Sequence, residues 1–340
     1  MSICKWFCNP TLRVQHFWGG DLMISAPLDV LVVNYNTATL LQPMFNALRE
    51  SNSADRTRYL VVDNASADNS LECLATICPE AILLANENNV GFGRANNQLV
   101  EHLQGKYALL LNTDAFVAAD TLSKTLDYME AHPDCGVLGV RLVGREGDLQ
   151  PSCRYFPTPL NVFLSRTGLE RFFPVVKRVD DMDWDHASVR ECDWVPGCYY
   201  LIRREVIDQI GLFDPRYFLY YEEVDHCKRV KQAGWKVVYY PHTTVVHIGG
   251  ESAKSVVKLN VVSRQIPRLQ IESELLYFRK HHGLLGLASH MLLVSLGDLI
   301  LALKALLKGR GRAAIGACWQ HARDTWALLR DTQFASQPTR

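Results

Sequence analysis

Asp29-Val30-Leu31-Val32-Val33-Asn34-Tyr35-Asn36 decides the fold. Its four consecutive apolar residues, three of them β-branched, stop on a pair of asparagines. A short apolar run closed by turn-forming residues reads as a buried strand. The pattern recurs at Tyr59–Val62, Ala81–Leu84, Tyr107–Leu111, Gly136–Leu142 and Trp235–Tyr240. Helical stretches fall between and after these runs, at 39–49, 93–103, 120–131, 203–210 and 222–233, with Asp120 placed as an N-cap. Strands alternating with helices at this spacing predict an α/β fold: a mostly parallel central sheet with helices on both faces.

The 340 residues are enough for one large domain or two modest ones, and the 48% hydrophobic and 21% charged content is that of an ordinary globular protein. Lys plus Arg and Asp plus Glu are equal at 36 each, which argues against nucleic acid as the main partner, since phosphate binding needs a basic excess. Ten cysteines form no CxxC pair, so neither a zinc ribbon nor a thioredoxin-type motif is supported, and reduced thiols are expected. Residues 1–26 lack a continuous apolar core of signal-peptide length and read as a poorly ordered extension, with the folded domain beginning near Pro27. Residues 145–193, rich in Pro, Arg, Asp and aromatics, read as loops and short elements laid over the sheet.

The C-terminal part reads as helical. Leu284–Leu307 is apolar enough to raise the question of a membrane span, but His290, Asp298, Lys304 and Lys308 interrupt it. At ~100° per residue these four fall within an arc of about 120°. A one-sided polar face suits a helix lying in the membrane plane better than one crossing it. The alternative is a helix that docks its apolar face on the domain.

Polar groups cluster where strands end, the usual crevice of an open α/β sheet. The first strand ends in Asn34 and Asn36, the second in Asp63 and Asn64, the fourth in Asn112 and Asp114. One such end is ordinary turn chemistry; three of them point to one site. Asp63 suits a nucleotide base or ribose as a hydrogen-bond acceptor, and Asp114 suits a hard divalent cation such as Mg2+ or Mn2+ with a diphosphate as co-ligand. Asn88–Asn97 is a glycine-bearing loop that opens a helix; Asn89 and Gly91 sit in it, and Arg94 is either a phosphate or sugar contact or a surface residue. It lacks the third glycine of a dinucleotide fingerprint. Trp194 and Gly197 offer a stacking face and close backbone approach for an acceptor sugar, with a core tryptophan as the plain alternative. Glu222, Glu223 and Asp225 place three carboxylates within four positions at a helix start, more than the helix dipole requires, and one of them suits a general base. His247, after a strand, is either structural or a metal or diphosphate ligand.

The segments VVNYN (32–36), VVDNASAD (61–68), NNVGFGRANN (88–97), LLNTD (110–114), QPSCRYFPTP (150–159), DWVPG (193–197), GLFDPRYFLYYEEVDHCKR (211–229), AGWKVVYYP (233–241), VVHIGGES (245–252) and YFRKHHG (277–283) together resemble the family-2 glycosyltransferases, most closely their bacterial rhamnosyltransferase-like branch. The match runs over residues 28–310. It implies a GT-A fold: a nucleotide-sugar-binding half at 27–145 and an acceptor-binding and catalytic half at 146–262, followed by the C-terminal helical region at 263–340, for which the helix pattern leaves membrane contact or docking open. It implies a nucleotide-sugar donor (dTDP-rhamnose on this branch, with UDP-linked hexoses as the alternative), a divalent metal, inversion at the anomeric carbon, and a cell-surface glycan or lipid-linked acceptor at the cytoplasmic face of a membrane. Carried over, Asp63 matches the base-binding aspartate, Asp114 the last aspartate of the metal motif, and His247 the histidine beside metal and diphosphate. Where the family's base is an aspartate, this sequence has Glu223, one methylene longer, which leaves the base between Glu223 and Glu222 with Asp225 in support. Asn112 replaces a first metal aspartate of some relatives. Two other readings compete: a sugar nucleotidyltransferase, which would need a Gly- and basic-rich loop where Asn34-Tyr35-Asn36-Thr37 stands, and a non-catalytic binding subunit of related fold.

Overall fold

The computed structural model describes residues 12–15, 28–249 and 265–340. Its framework is an 11-stranded sheet: β1 (Leu12–Gln15), β2 (Leu28–Asn34), β3 (Thr57–Asp63), β4 (Ile82–Asn86), β5 (Tyr107–Leu111), β6 (Ala115–Val117), β7 (Cys135–Val143), β8 (Leu149–Gln150), β9 (Arg190–Glu191), β10 (Tyr199–Arg203) and β11 (Lys236–His247). The order is β1-β4-β3-β2-β5-β10-β7-β11-β6, with β8 on β7 and β9 on β11. Strands β4, β3, β2 and β5 are mutually parallel, as the alternating pattern predicts. Beyond them the sheet is mixed. β10 runs antiparallel between β5 and β7, while β11 is parallel to β7 and antiparallel to the edge strand β6.

The expected strands appear with ends moved by a residue or two, except β11, which continues past an irregularity at Tyr240/Thr244 to His247. In β2, Leu31 joins one core while Val30 and Val32 join the other. A strand buried on both faces needs apolar side chains at every position, which is why it reads as a continuous run. Helices α1 (Ala38–Arg49), α2 (Ser70–Ile77) and α4 (Thr121–Ala131) cover one face. The other face carries α3 (Phe92–Gln98), α6 (Arg204–Ile210), α7 (Glu222–Gln232) and the start of the C-terminal helices. The 145–193 segment is mostly irregular but holds α5 (Pro159–Thr167), built on a reciprocal Thr158–Asn161 capping box with Pro159 in the first turn and a left-handed Gly168 closing it.

Of the N-terminal extension, only Leu12–Gln15 lie among the described residues, and they correct the expectation there: they form an edge strand antiparallel to β4. The remainder of residues 1–26 falls outside the described residues, as does Gly250–Ser252. The eight described cysteines are unbridged thiols.

α8 (Gln265–Leu307) breaks at Gly283 (φ 67°), and α9 (Gly311–Asp331) packs back on it. By length and composition the stretch Pro267–Leu307 could cross a membrane. Its polar stripe, however, faces the protein. His290 Nε2 lies 3.3 Å from Glu274, Asp298 pairs with Arg166 and with His321 (3.1 Å), and Lys304 donates to Thr167 O at 2.6 Å. Leu292, Leu296, Leu299, Leu303, Leu306 and Leu307 are exposed instead. Leu287, Met291, Val294, Ala302 and Ala305 are buried, as the docking alternative expects, so the helix docks through apolar and polar groups together while this row of leucines faces outward.

Candidate active site

The C-terminal ends of β2, β3 and β5 lie side by side, so their terminal polar residues meet. Asn34, fully buried, donates from Nδ2 to Asp63 Oδ1 (2.7 Å) and Ser66 Oγ (3.0 Å) and accepts from Thr37 Oγ1 (2.6 Å). Asp63 also accepts from Ser66 Oγ on Oδ1 (2.7 Å) and from Ser66 N–H on Oδ2 (3.0 Å). A carboxylate offers about four lone-pair directions, so Oδ2 retains capacity for a further donor. Asn36, at φ 53°, accepts from Ala67 N–H (2.7 Å), which locks the β2 and β3 turns together. Asn64 extends the lattice, donating to Asn89 Oδ1 (2.9 Å) and accepting from Val90 N–H (3.0 Å).

Gly91 carries this lattice to the second half of the chain. Its φ is 92°, and a Cβ there would stand 2.4 Å from Phe218 O. Phe92 N–H donates to the same carbonyl at 2.9 Å. Arg94, read as either a ligand contact or a surface residue, donates to Pro215 O (2.7 Å) and Arg340 O (2.8 Å) and ties down the 213–221 loop.

Asp114 and His247 meet across β6 and β11. Their Oδ1 and Nε2 atoms are 3.6 Å apart, and Asp114 O accepts from Ile248 N–H (3.0 Å). Gln150 fixes the imidazole: its Nε2 donates to His247 O (2.8 Å), so its Oε1 faces the ring and accepts from Nδ1–H (2.9 Å). That tautomer leaves the Nε2 lone pair directed at a carboxylate. Burial lowers the His247 pKa against the pull of Asp114, which favours the neutral ring. Two acceptors facing each other at this distance are a donor set that fits a divalent cation with a diphosphate as further ligand. Among the described residues no three His, Cys, Asp or Glu side chains gather as a metal cluster, so such a cation would rest on this pair.

One turn separates this pair from the acids of α7. Asn112 N–H donates to Cys198 O (3.1 Å), and a Cβ on Gly197 would sit 3.9 Å from Glu223 Cβ. Burial, and then the charges of Asp114 and more weakly Glu223, push the Cys198 thiol up, which places both carboxylates around that turn. Tyr220 and Tyr221, both in the left-handed region (φ 69° and 67°), swing the chain into α7. Such φ values cost on the order of 1–3 kcal/mol each and persist only where the surroundings enforce them.

Glu222 and Glu223 each bury Oε2 without a partner among the described residues. Burial, and then the charge of Glu223, raises the Glu222 pKa strongly; burial raises that of Glu223, opposed by its backbone hydrogen bonding and by Arg154. The proton of the pair therefore favours Glu222. Only Glu223 lines the cavity of about 470 Å3 that opens here, beside Arg154, Trp194 and Tyr220. Trp194 is both alternatives at once. It is 5% exposed and donates from Nε1 to Tyr155 O (2.9 Å), yet it lines the cavity with the Arg154 guanidinium 4.2 Å above its ring.

Asp225 is not brought to this site. It is fully buried and bound to Lys280 Nζ (2.5 Å), His281 Nε2 (2.6 Å) and Arg229 Nε (2.9 Å). Burial pushes its pKa up, but these partners outweigh it and hold the carboxyl at about 2. It clamps α7 to α8 rather than supporting the base. Sequence reasoning missed Ser66, Gln150 and Arg154. All three stand in quoted stretches, Ser66 in 61–68 and the other two in 150–159, but nothing there signals which atoms they face.

The description of glycosyl transferase family 2 fits residues 29–192. N-acetylglucosaminyl-diphospho-decaprenol L-rhamnosyltransferase of Mycobacterium tuberculosis is 28% identical over 241 residues, covering 65% of this chain and 75% of that protein. Rhamnosyltransferase WbbL of Escherichia coli is 25% identical over 61% of this chain and 80% of its own length. Among solved structures, a mannosyltransferase of Pyrobaculum calidifontis in complex with GDP-mannose and Mn2+ superposes with a TM-score of 0.50 at 16% identity, covering 92% of this chain and 88% of that one. The likeness is one of fold, the GT-A arrangement of an α/β sheet with C-terminal helices.

Proposed function

We propose, because residues 29–192 match glycosyl transferase family 2, that this chain transfers rhamnose, with inversion, from dTDP-rhamnose to a hydroxyl of a lipid-linked glycan acceptor at the cytoplasmic face of a membrane. The sugar follows the names of both rhamnosyltransferase relatives, and the lipid-linked acceptor that of the mycobacterial one. The observation that carries the reading is the placement of Asp114–His247 and Glu223 around the Gly197–Cys198 turn.

Asp63 and the Asn34–Ser66–Asn64 lattice hold the nucleoside. Glu223 takes the proton of the acceptor hydroxyl as its oxygen bonds to the anomeric carbon. The bond from that carbon to the diphosphate breaks on the opposite side, so configuration inverts and a nucleoside diphosphate leaves. A Mg2+ or Mn2+ held by Asp114 and His247 would supply charge neutralisation for that leaving group. The outward leucine stripe of α8, together with exposed Trp319 and Trp326 and the basic run Lys308, Arg310 and Arg312, suits an in-plane membrane contact.

The test is incubation of the chain with dTDP-rhamnose and an N-acetylglucosaminyl-diphosphate on a short prenyl chain, with Mn2+ or with chelator. The expected outcome is acceptor-dependent release of dTDP and a rhamnosylated acceptor, both lost with chelator. Pyrophosphate release from a triphosphate instead would make the chain a nucleotidyltransferase. No turnover of any nucleotide sugar would make it a binding subunit.

A further inference from the structure

We propose that Glu274, on the first stretch of α8, is a specificity-determining residue that hydrogen-bonds the acceptor sugar, so that the C-terminal helices form the far wall of the acceptor pocket. The proposal rests on the transferase reading above. The cavity at Glu223 measures about 470 Å3 and does not end in the catalytic half. Its opposite wall is Arg166 of α5, Gln270 and Glu274 of α8, and His321 of α9. A volume in the range of roughly 300–1,000 Å3, with a few convergent polar groups, is that of a small-ligand site.

The charge balance decides what the cavity takes. Arg154 is already paired with Asp180 and Arg166 with Asp298, while Glu223 and Glu274 both line the space. No positive excess is left to hold a diphosphate. Trp194, Tyr220 and Tyr221 add aromatic surface to the carboxylates and the amide of Gln270. Aromatic faces with uncharged and acidic hydrogen-bonding groups suit a neutral, hydroxyl-rich group, which is a sugar ring rather than its phosphate.

Glu274 fits that role by its own surroundings. One oxygen lies 3.3 Å from His290 Nε2, and burial holds that imidazole neutral, at about 3. Burial also raises Glu274 itself to about 7 against the opposing charge of Arg166. The carboxyl thus faces the cavity without a full ionic partner, and its remaining capacity is available to a ligand hydroxyl or amide N–H.

The test is steady-state kinetics of Glu274→Leu and Glu274→Gln with dTDP-rhamnose and the short-prenyl N-acetylglucosaminyl-diphosphate varied in turn. A lost hydrogen bond to a charged group predicts an acceptor KM raised by about tenfold or more in Glu274→Leu. A smaller rise is expected in Glu274→Gln, with donor KM and dTDP affinity unchanged in both. A purely structural role would lower the melting temperature without splitting acceptor KM from donor KM. Where Glu274→Leu does not fold, Glu274→Gln decides: a selective rise in acceptor KM supports the assignment. Unchanged acceptor KM beside normal wild-type transfer overturns it and leaves the transferase reading standing. Absence of transfer by the unaltered chain overturns both.

Discussion

Two adjacent glutamates share one buried corner, and their separation into roles is a matter of which one meets the cavity. Glu222 is 5% exposed and packs toward the 88–97 loop at Gly93, so it is the member that keeps a proton. Glu223 faces the space where an acceptor would stand. Its folded pKa is raised, and a base works only when deprotonated. The kcat/KM profile should therefore fall on the acid side with an inflection above the ordinary glutamate value of about 4.3. A profile flat down to that value would show that no group of raised pKa serves as base.

At the level of elements, the clamp between α7 and α8 is the critical joint. Asp225 answers Arg229 from its own helix and Lys280 and His281 from α8. Its folded pKa, about 2, lies below the unfolded value of about 3.9. The stability it contributes is therefore present above pH ~4 and is lost as pH falls toward the folded value. Asp225→Asn should lower the unfolding free energy by about 3–5 kcal/mol at neutral pH, since it strands buried cations; urea melts check this, and an unchanged midpoint would refute the clamp. The strands β2, β3 and β5 were legible because burial on two faces writes itself as an apolar run. β10 was not, since Tyr199–Arg203 follows directly on the Gly197–Cys198 turn and pairs antiparallel, a relation no spacing reveals. α5 was signalled by Thr158, Pro159 and Asn161 but masked by the prolines around it. Asp63 and Asp114 are readable as candidates from strand ends, whereas His247 becomes a ligand candidate only through the family resemblance. The split between Glu223 and Asp225 could not, because helical phase alone does not say which side another helix will cover.

Over the whole molecule, the sheet gathers the polar ends of β2, β3 and β5, where the proposal places the donor, and α8 lines the cavity at Glu223 while exposing a row of leucines. A helix that spends its polar stripe on the protein presents the other face to an apolar environment. Leu296→Asp with Leu303→Asp should abolish co-flotation with anionic lipid vesicles while leaving the fold intact by circular dichroism; retained flotation would remove the membrane face. The central claim is that one carboxylate, Glu223, works across the Gly197–Cys198 turn from the Asp114–His247 pair. The most direct measurement is turnover and donor affinity of Glu223→Gln beside the unaltered chain. The account predicts a loss of about 10²–10⁴ in kcat with dTDP-rhamnose binding unchanged, and turnover retained at the original rate would contradict it.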